Sequence, residues 1–106
     1  MKEHGTDSVL GRVPIQNVNH PGSTTRVDAG MYYAMRDAML KALPKKIPGL
    51  TQGELREAVL QLLPESLFPG GENAGWWSKA VQLDLEAKGV ISREHSRPLR
   101  WHRNLK

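Results

Sequence analysis

The stretch from Ala74 to Ile91 constrains this chain most, because it is a helical pattern with apolar residues on two flanks and must be packed from both sides at once. With Trp76 as the origin of a helical wheel, Trp76, Ala80, Leu83 and Ala87 fill one flank and Trp77, Val81 and Leu85 the other. Ser78, Lys79, Gln82 and Glu86 share the polar arc, the narrow strip that such a helix can expose. Lys88-Gly89 closes the helix, since glycine accepts the left-handed C-terminal conformation, and Val90-Ile91 leaves it as a strand. Asp84 falls between the flanks, where a carboxylate must be paired or hydrogen-bonded. Lys88, four residues on, is the expected partner, and structural pairing is the reading over general acid or base chemistry because the sequence identifies no second ionisable partner in a cleft.

Two shorter helical patterns come first. Asp28 is a good N-cap for a helix that runs to about Leu43 and stops at Pro44. Met31, Tyr32, Met35, Ala38, Met39, Ala42 and Leu43 form its apolar face, with Gly30, Asp37 and Lys41 opposite. Tyr33 and Leu40 lie on a second flank, an interaction surface to be covered by Val13, Ile15 and Val18 or by a second copy of the chain. Lys45-Lys46 complements the carbonyl end of this helix. Leu50 suits one short strand, and Thr51-Gln52-Gly53-Glu54 is a capping box that opens a helix with Leu55, Ala58, Val59 and Leu62 on one face and Pro64 at its end. The loop from 64 to 73 is longer than the usual turn of about three or four residues between such helices. Leu67 and Phe68 are expected to plug the core there, Gly70-Gly71 to allow the return, and Asn73 to cap the next helix. A phosphate-cradling glycine loop is not indicated, since no Lys-Ser/Thr follows the glycines.

At the C-terminal end, 90–94 and 99–103 read as two strands of a hairpin. Alternation that turns Ile91, Leu99 and Trp101 inward sets Ile91 opposite Trp101 and Arg93 opposite Leu99, with Arg97 at the tip and Ser92, Arg100 and His102 outside. At the other end, residues 1–12 read as a disordered tail and 13–27 as an extended arm with a turn at Asn19-His20-Pro21-Gly22. Residues 13–106 are then one domain, mainly α with a small β-hairpin: three helices plus a C-terminal wing, the order of a winged helix-turn-helix.

Charge gives this order its functional meaning. From Met1 to Asn73 basic and acidic residues balance, whereas Ala74 to Lys106 holds seven basic residues against three acidic, so the whole excess behind the net charge of +4 sits on the third helix and hairpin. That distribution suits duplex DNA, with Lys79, Gln82, Arg93, Arg97, Arg100 and Arg103 as candidate contacts: Gln82 for base edges, Lys79 for phosphate and Arg97 for a minor groove. The alternative is a module that meets a protein partner through the tryptophan-bearing helix or the Tyr33-Leu40 flank; a two-fold homodimer is the expected form, since symmetric regulators read paired half-sites. No catalytic constellation and no cofactor motif stands out. His4, His20, His95 and His102 lack metal-ligand spacing, and with no cysteine neither disulfides nor thiolate sites arise. No apolar run reaches the length of a membrane span, which leaves a cytoplasmic, non-enzymatic protein as the expectation.

The chain resembles a family of small bacterial proteins with no assigned function. The likeness runs from about Ile15 to Arg103 through 17–22 (NVNHPG), 43–46 (LPKK), 49–52 (GLTQ), 68–71 (FPGG), 75–77 (GWW), 81–89 (VQLDLEAKG) and 98–103 (PLRWHR). It brings no catalytic or binding residues with it. The C-terminal half is also similar to winged-helix modules, including those attached to restriction and chromatin proteins, a likeness of fold that implies no particular function.

Overall fold

A computed structural model describes residues 11–104, so of the expected tail only Gly11 and Arg12 can be compared; residues 1–10 lie outside the described residues. Arg12 already belongs to a strand, β1 (Arg12–Gln16), which pairs antiparallel with β2 (Thr24–Asp28), Arg12 opposite Asp28 and Gln16 opposite Thr24. The expected single arm is therefore a hairpin, and the fold is α/β rather than mainly α. The second strand carries only one apolar residue, Val27, which left no alternation to read. Pairing turns Ile15 and Val27 inward together, and both are buried. The expected turn joins the strands, with the Asn19 amide donating to Asn17 Oδ1 at 2.8 Å and the Ser23 amide to the His20 carbonyl at 3.1 Å.

Helix α1 (Ala29–Ala42) starts where expected: Asp28 Oδ2 accepts from the Met31 amide at 2.9 Å. Tyr32, Met35, Ala38, Met39 and the flanking Leu43 are buried, and Met31 and Ala42 half-buried. The second flank is not closed. Leu40 packs at the core's edge, but Tyr33 stays 43% exposed, because β1 lies chiefly along the third helix instead of over α1.

Strand β3 (Leu50–Thr51) leads into α2 (Gln52–Leu60) through the expected capping box. Thr51 Oγ1 accepts from the Glu54 amide at 3.2 Å and Glu54 Oε1 from the Thr51 amide at 3.0 Å. The Thr51 amide holds the Glu54 carboxyl below its ordinary range. The helix ends at Leu60 instead of running to Pro64, so the wheel no longer applies to Leu62, which is exposed while Leu63 packs inward. Phe68 is buried as expected, and the long loop returns through a 3₁₀ turn in which Gly70 and Gly71 both have positive φ.

Helix α3 (Ala74–Ala87), β4 (Ile91–Glu94) and β5 (Arg100–Arg103) complete the domain. The three-stranded sheet has the order β3-β5-β4. Its hairpin is paired two residues away from the expected register: Ile91 faces Arg103, Arg93 faces Trp101 and Glu94 faces Arg100. A shift of two keeps every side chain on its expected face, so Ile91 and Trp101 are both buried, but Leu99 falls into the tip and is exposed. The other edge of β5 is held by β3. Leu50 pairs with Trp101, and at the preceding Gly49 (φ +92°) a Cβ would stand 1.9 Å from the Trp101 carbonyl oxygen, so only glycine lets the chain pass there. Arg103 then ties β5 to the end of α1, its Nε donating to the Leu43 carbonyl at 2.9 Å.

On the outer face, His102 Nε2 lies 2.8 Å from Glu94 Oε2 and Nδ1 3.0 Å from the Arg103 carbonyl. Both partners are acceptors, and only the imidazolium has two N–H groups to give them. The Arg103 carbonyl, and after it Glu94, accordingly raises the His102 pKa above its ordinary 6.5. A proton held more tightly in the folded chain stabilises it fully below the unfolded value near 6.5 and ceases to do so as pH rises through the folded value. Denaturant titrations across this range should therefore show stability falling as pH increases, and Glu94→Gln should flatten the fall; an unchanged profile in that variant would dissociate the pair from the effect.

Candidate nucleic-acid interface

Packing decides how much of α3 is available to a partner. The helix is enclosed by α1, α2, β1 and β4. Its C-terminal half is buried on nearly every side, and only the N-terminal half presents exposed side chains, Trp76 and Lys79 beside Gly75. Three assignments from the wheel are reversed as a result. Ser78 and Gln82, expected on the exposed arc, are buried at 5% and 1% exposure, whereas Trp76, expected on an apolar flank, is 57% exposed. The reason is the angle at which neighbours approach: α2 brings Gln52, Gly53 and Arg56 up to Gly75 and Ser78, and β4 brings Arg93 onto Glu86. Asn73 does stand at the N-cap position, but in the left-handed conformation (φ 65°) and with no capping bond from its side chain. Asparagine tolerates that geometry better than most residues do.

The six candidate contacts separate accordingly. Gln82 has no access to a base edge. Arg93 donates twice to Glu86, at 3.0 and 3.1 Å, and stacks over the Trp101 ring at 5.4 Å. Arg100 Nη1 donates to the Gly49 carbonyl at 3.0 Å and to Glu54 at 3.3 Å, and Arg103 holds the Leu43 carbonyl. These three arginines are occupied in binding the sheet to its neighbours. Lys79 and Arg97 are exposed and make no ion pair or side-chain hydrogen bond with the described residues.

A third cation in the same condition, Arg56 on α2, was not singled out by sequence, because one arginine on a polar helical face has no distinguishing signal. Its guanidinium comes within 3.9 Å of where a Cβ on Gly75 would stand. The Thr51–Arg100 pairing in turn sets the tip of the β4–β5 hairpin at the end of the sheet where α2 begins. Arg56 thus lies over the first turn of α3, Arg97 on the hairpin tip toward the start of α2, and Lys79 on the exposed N-terminal half of α3.

Asp84, in the C-terminal half of α3, is fully buried. It accepts from Tyr32 Oη at 2.5 Å and from the Gln16 amide at 2.8 Å, and Lys88 Nζ, the expected partner, reaches both of its oxygens at 2.9 and 3.0 Å. Burial, and after it the bond to Asp84, pushes the Tyr32 phenol well above its ordinary value, so it remains a proton donor. One carboxylate thus joins β1, α1 and α3, and its hydrogen-bonding capacity is used in doing so.

The family model described as a family of unknown function (DUF6958) matches residues 12–101, from the start of β1 to the middle of β5. The chain belongs to that family. Both sheets and all three helices of this DUF6958 member fall within the matched span, except the last residues of β5. No curated protein and no solved structure matches the chain significantly. Among the described residues of this DUF6958 chain, no helix is long and apolar enough to cross a membrane.

Proposed function

We propose that the chain is a nucleic-acid-binding regulator of winged helix-turn-helix architecture that holds duplex DNA through phosphate contacts. The order α1, β3, α2, α3, β4, β5, with β3 lying beside β5, supports the architecture. The observation that carries the function is the set Arg56, Lys79 and Arg97: exposed cations on α2, α3 and the wing that no described residue pairs. With Gln82 buried, this reading gives the interface little direct base readout, so affinity is dominated by phosphate and sequence preference is weak.

If these three cations each neutralise one phosphate, log affinity for random duplex should fall against log salt with a slope of about −3. Lys79→Ala with Arg97→Ala should reduce the slope by about two and leave the melting temperature unchanged. Absence of duplex binding at low salt over a wide concentration range would overturn the proposal. A module that meets a protein partner is the second reading, favoured by two exposed aromatic rings, Trp76 and Tyr33, and it would then stand.

A further inference from the structure

A cleft of about 250 Å³ opens between the β1–β2 hairpin and the exposed half of α3. Ile15, Ala80 and Leu83 contribute apolar groups, Asn17 lies on the hairpin side, and Trp76 and Lys79 on the helix side. A combination of three features sets it apart. No acidic side chain lines it, unlike the larger cleft of about 610 Å³ near Arg12 and Arg26, which contains Asp28 and Glu72. Its tryptophan is 57% exposed, and an edge-to-face contact with Trp77 (5.2 Å, 87°) supports the ring from behind. Lys79 stands in the cleft beside Trp76, and at about 100° per residue it falls between Trp76 and Gly75, over which Arg56 lies just outside the cleft.

An aromatic platform with a free cation one helical turn along, over an apolar floor and without opposing carboxylates, is the chemistry that binds a planar ring joined to a phosphate. We infer that this cleft takes one unpaired nucleotide, its base against Trp76 and its phosphate on Lys79. In a strand, the next phosphate continues toward Arg56. The inference rests on the nucleic-acid reading above and refines it, since the preferred target becomes a duplex with an unpaired base rather than a perfect one.

Fluorescence anisotropy with four probes at one salt concentration tests this: a blunt duplex, the same duplex with one extrahelical thymidine, single-stranded oligothymidylate, and thymidine monophosphate as an unlabelled competitor. The extrahelical base should tighten binding by about tenfold over the blunt duplex. Trp76→Ala should bring that ratio to about one, Trp76→Phe should retain part of it, and melting of both variants checks their fold. If the blunt duplex binds and the unpaired base adds nothing, the inference is overturned while the duplex reading stands. If oligothymidylate binds in a Trp76-dependent way and the duplex does not, the duplex reading fails and the inference holds. Competition by the monophosphate at the concentrations effective for the strand would assign the same site to a free nucleotide, and no binding of any probe would remove both proposals.

Discussion

Asp84→Ala is expected to destabilise the protein by about 3 to 5 kcal/mol, the range for removing one partner of a buried, hydrogen-bonded ion pair. The cost arises mostly from the two donors left behind. Tyr32 Oη and the Gln16 amide each lose their acceptor at Asp84; the Tyr32 bond is buried, where an unsatisfied donor costs about 1 to 3 kcal/mol, and the Gln16 bond is part-buried and costs less. Lys88 contributes less, because its side chain is 35% exposed and its ammonium can turn to water. Asp84→Asn keeps the volume and one acceptor oxygen, so its loss should be smaller than that of the alanine variant. Urea unfolding of both gives the comparison; an alanine variant within about 1 kcal/mol of wild type would mean that the carboxylate does not fasten β1 to the helices.

Trp101→Ala should cost a similar amount, about 3 to 5 kcal/mol. The ring is 3% exposed on the central strand of the β3-β5-β4 sheet, with Leu50 paired on one side and Arg93 on the other. Arg93 sits over it as a cation, and the same guanidinium is bound to Glu86 of α3, so the ring is part of the contact that joins the hairpin to the helix. The loss should therefore show as cooperative weakening of the whole domain rather than local fraying of the hairpin. Hydrogen exchange separates these outcomes: faster exchange confined to β4 and β5, with α3 still protected, would contradict the coupling. A loss below about 0.5 kcal/mol would instead put the ring at the surface.

The limits of sequence reading are clearest at α3 and the two hairpins. Helix ends were legible wherever a side chain contacts its own backbone, as at Asp28 and in the Thr51–Glu54 box, because those interactions span only a few residues. The Asp84–Lys88 pair was legible for the same reason, being one helical turn long. Tyr32 and the Gln16 amide were not, since they reach Asp84 from 52 and 68 residues away. For the β4–β5 hairpin, alternation determined which faces point inward but not the register, as shifts of two residues preserve every face.

What the sequence determined by itself was local or periodic: three helices in order, a capping box, a C-terminal hairpin with Ile91 and Trp101 inside, and an excess of positive charge after Ala74. Only the tertiary structure decided which of those charges are available. Arg93, Arg100 and Arg103 carry the same formal charge as Arg97, yet Glu86, the Gly49 carbonyl with Glu54, and the Leu43 carbonyl occupy them. A helical wheel ranks residues by angle around one axis and contains no information about where neighbouring elements cross it. On α3 those crossings bury Gln82 and expose Trp76, because α2 and β4 close over the polar arc while the β1–β2 hairpin leaves a cleft beside the tryptophan.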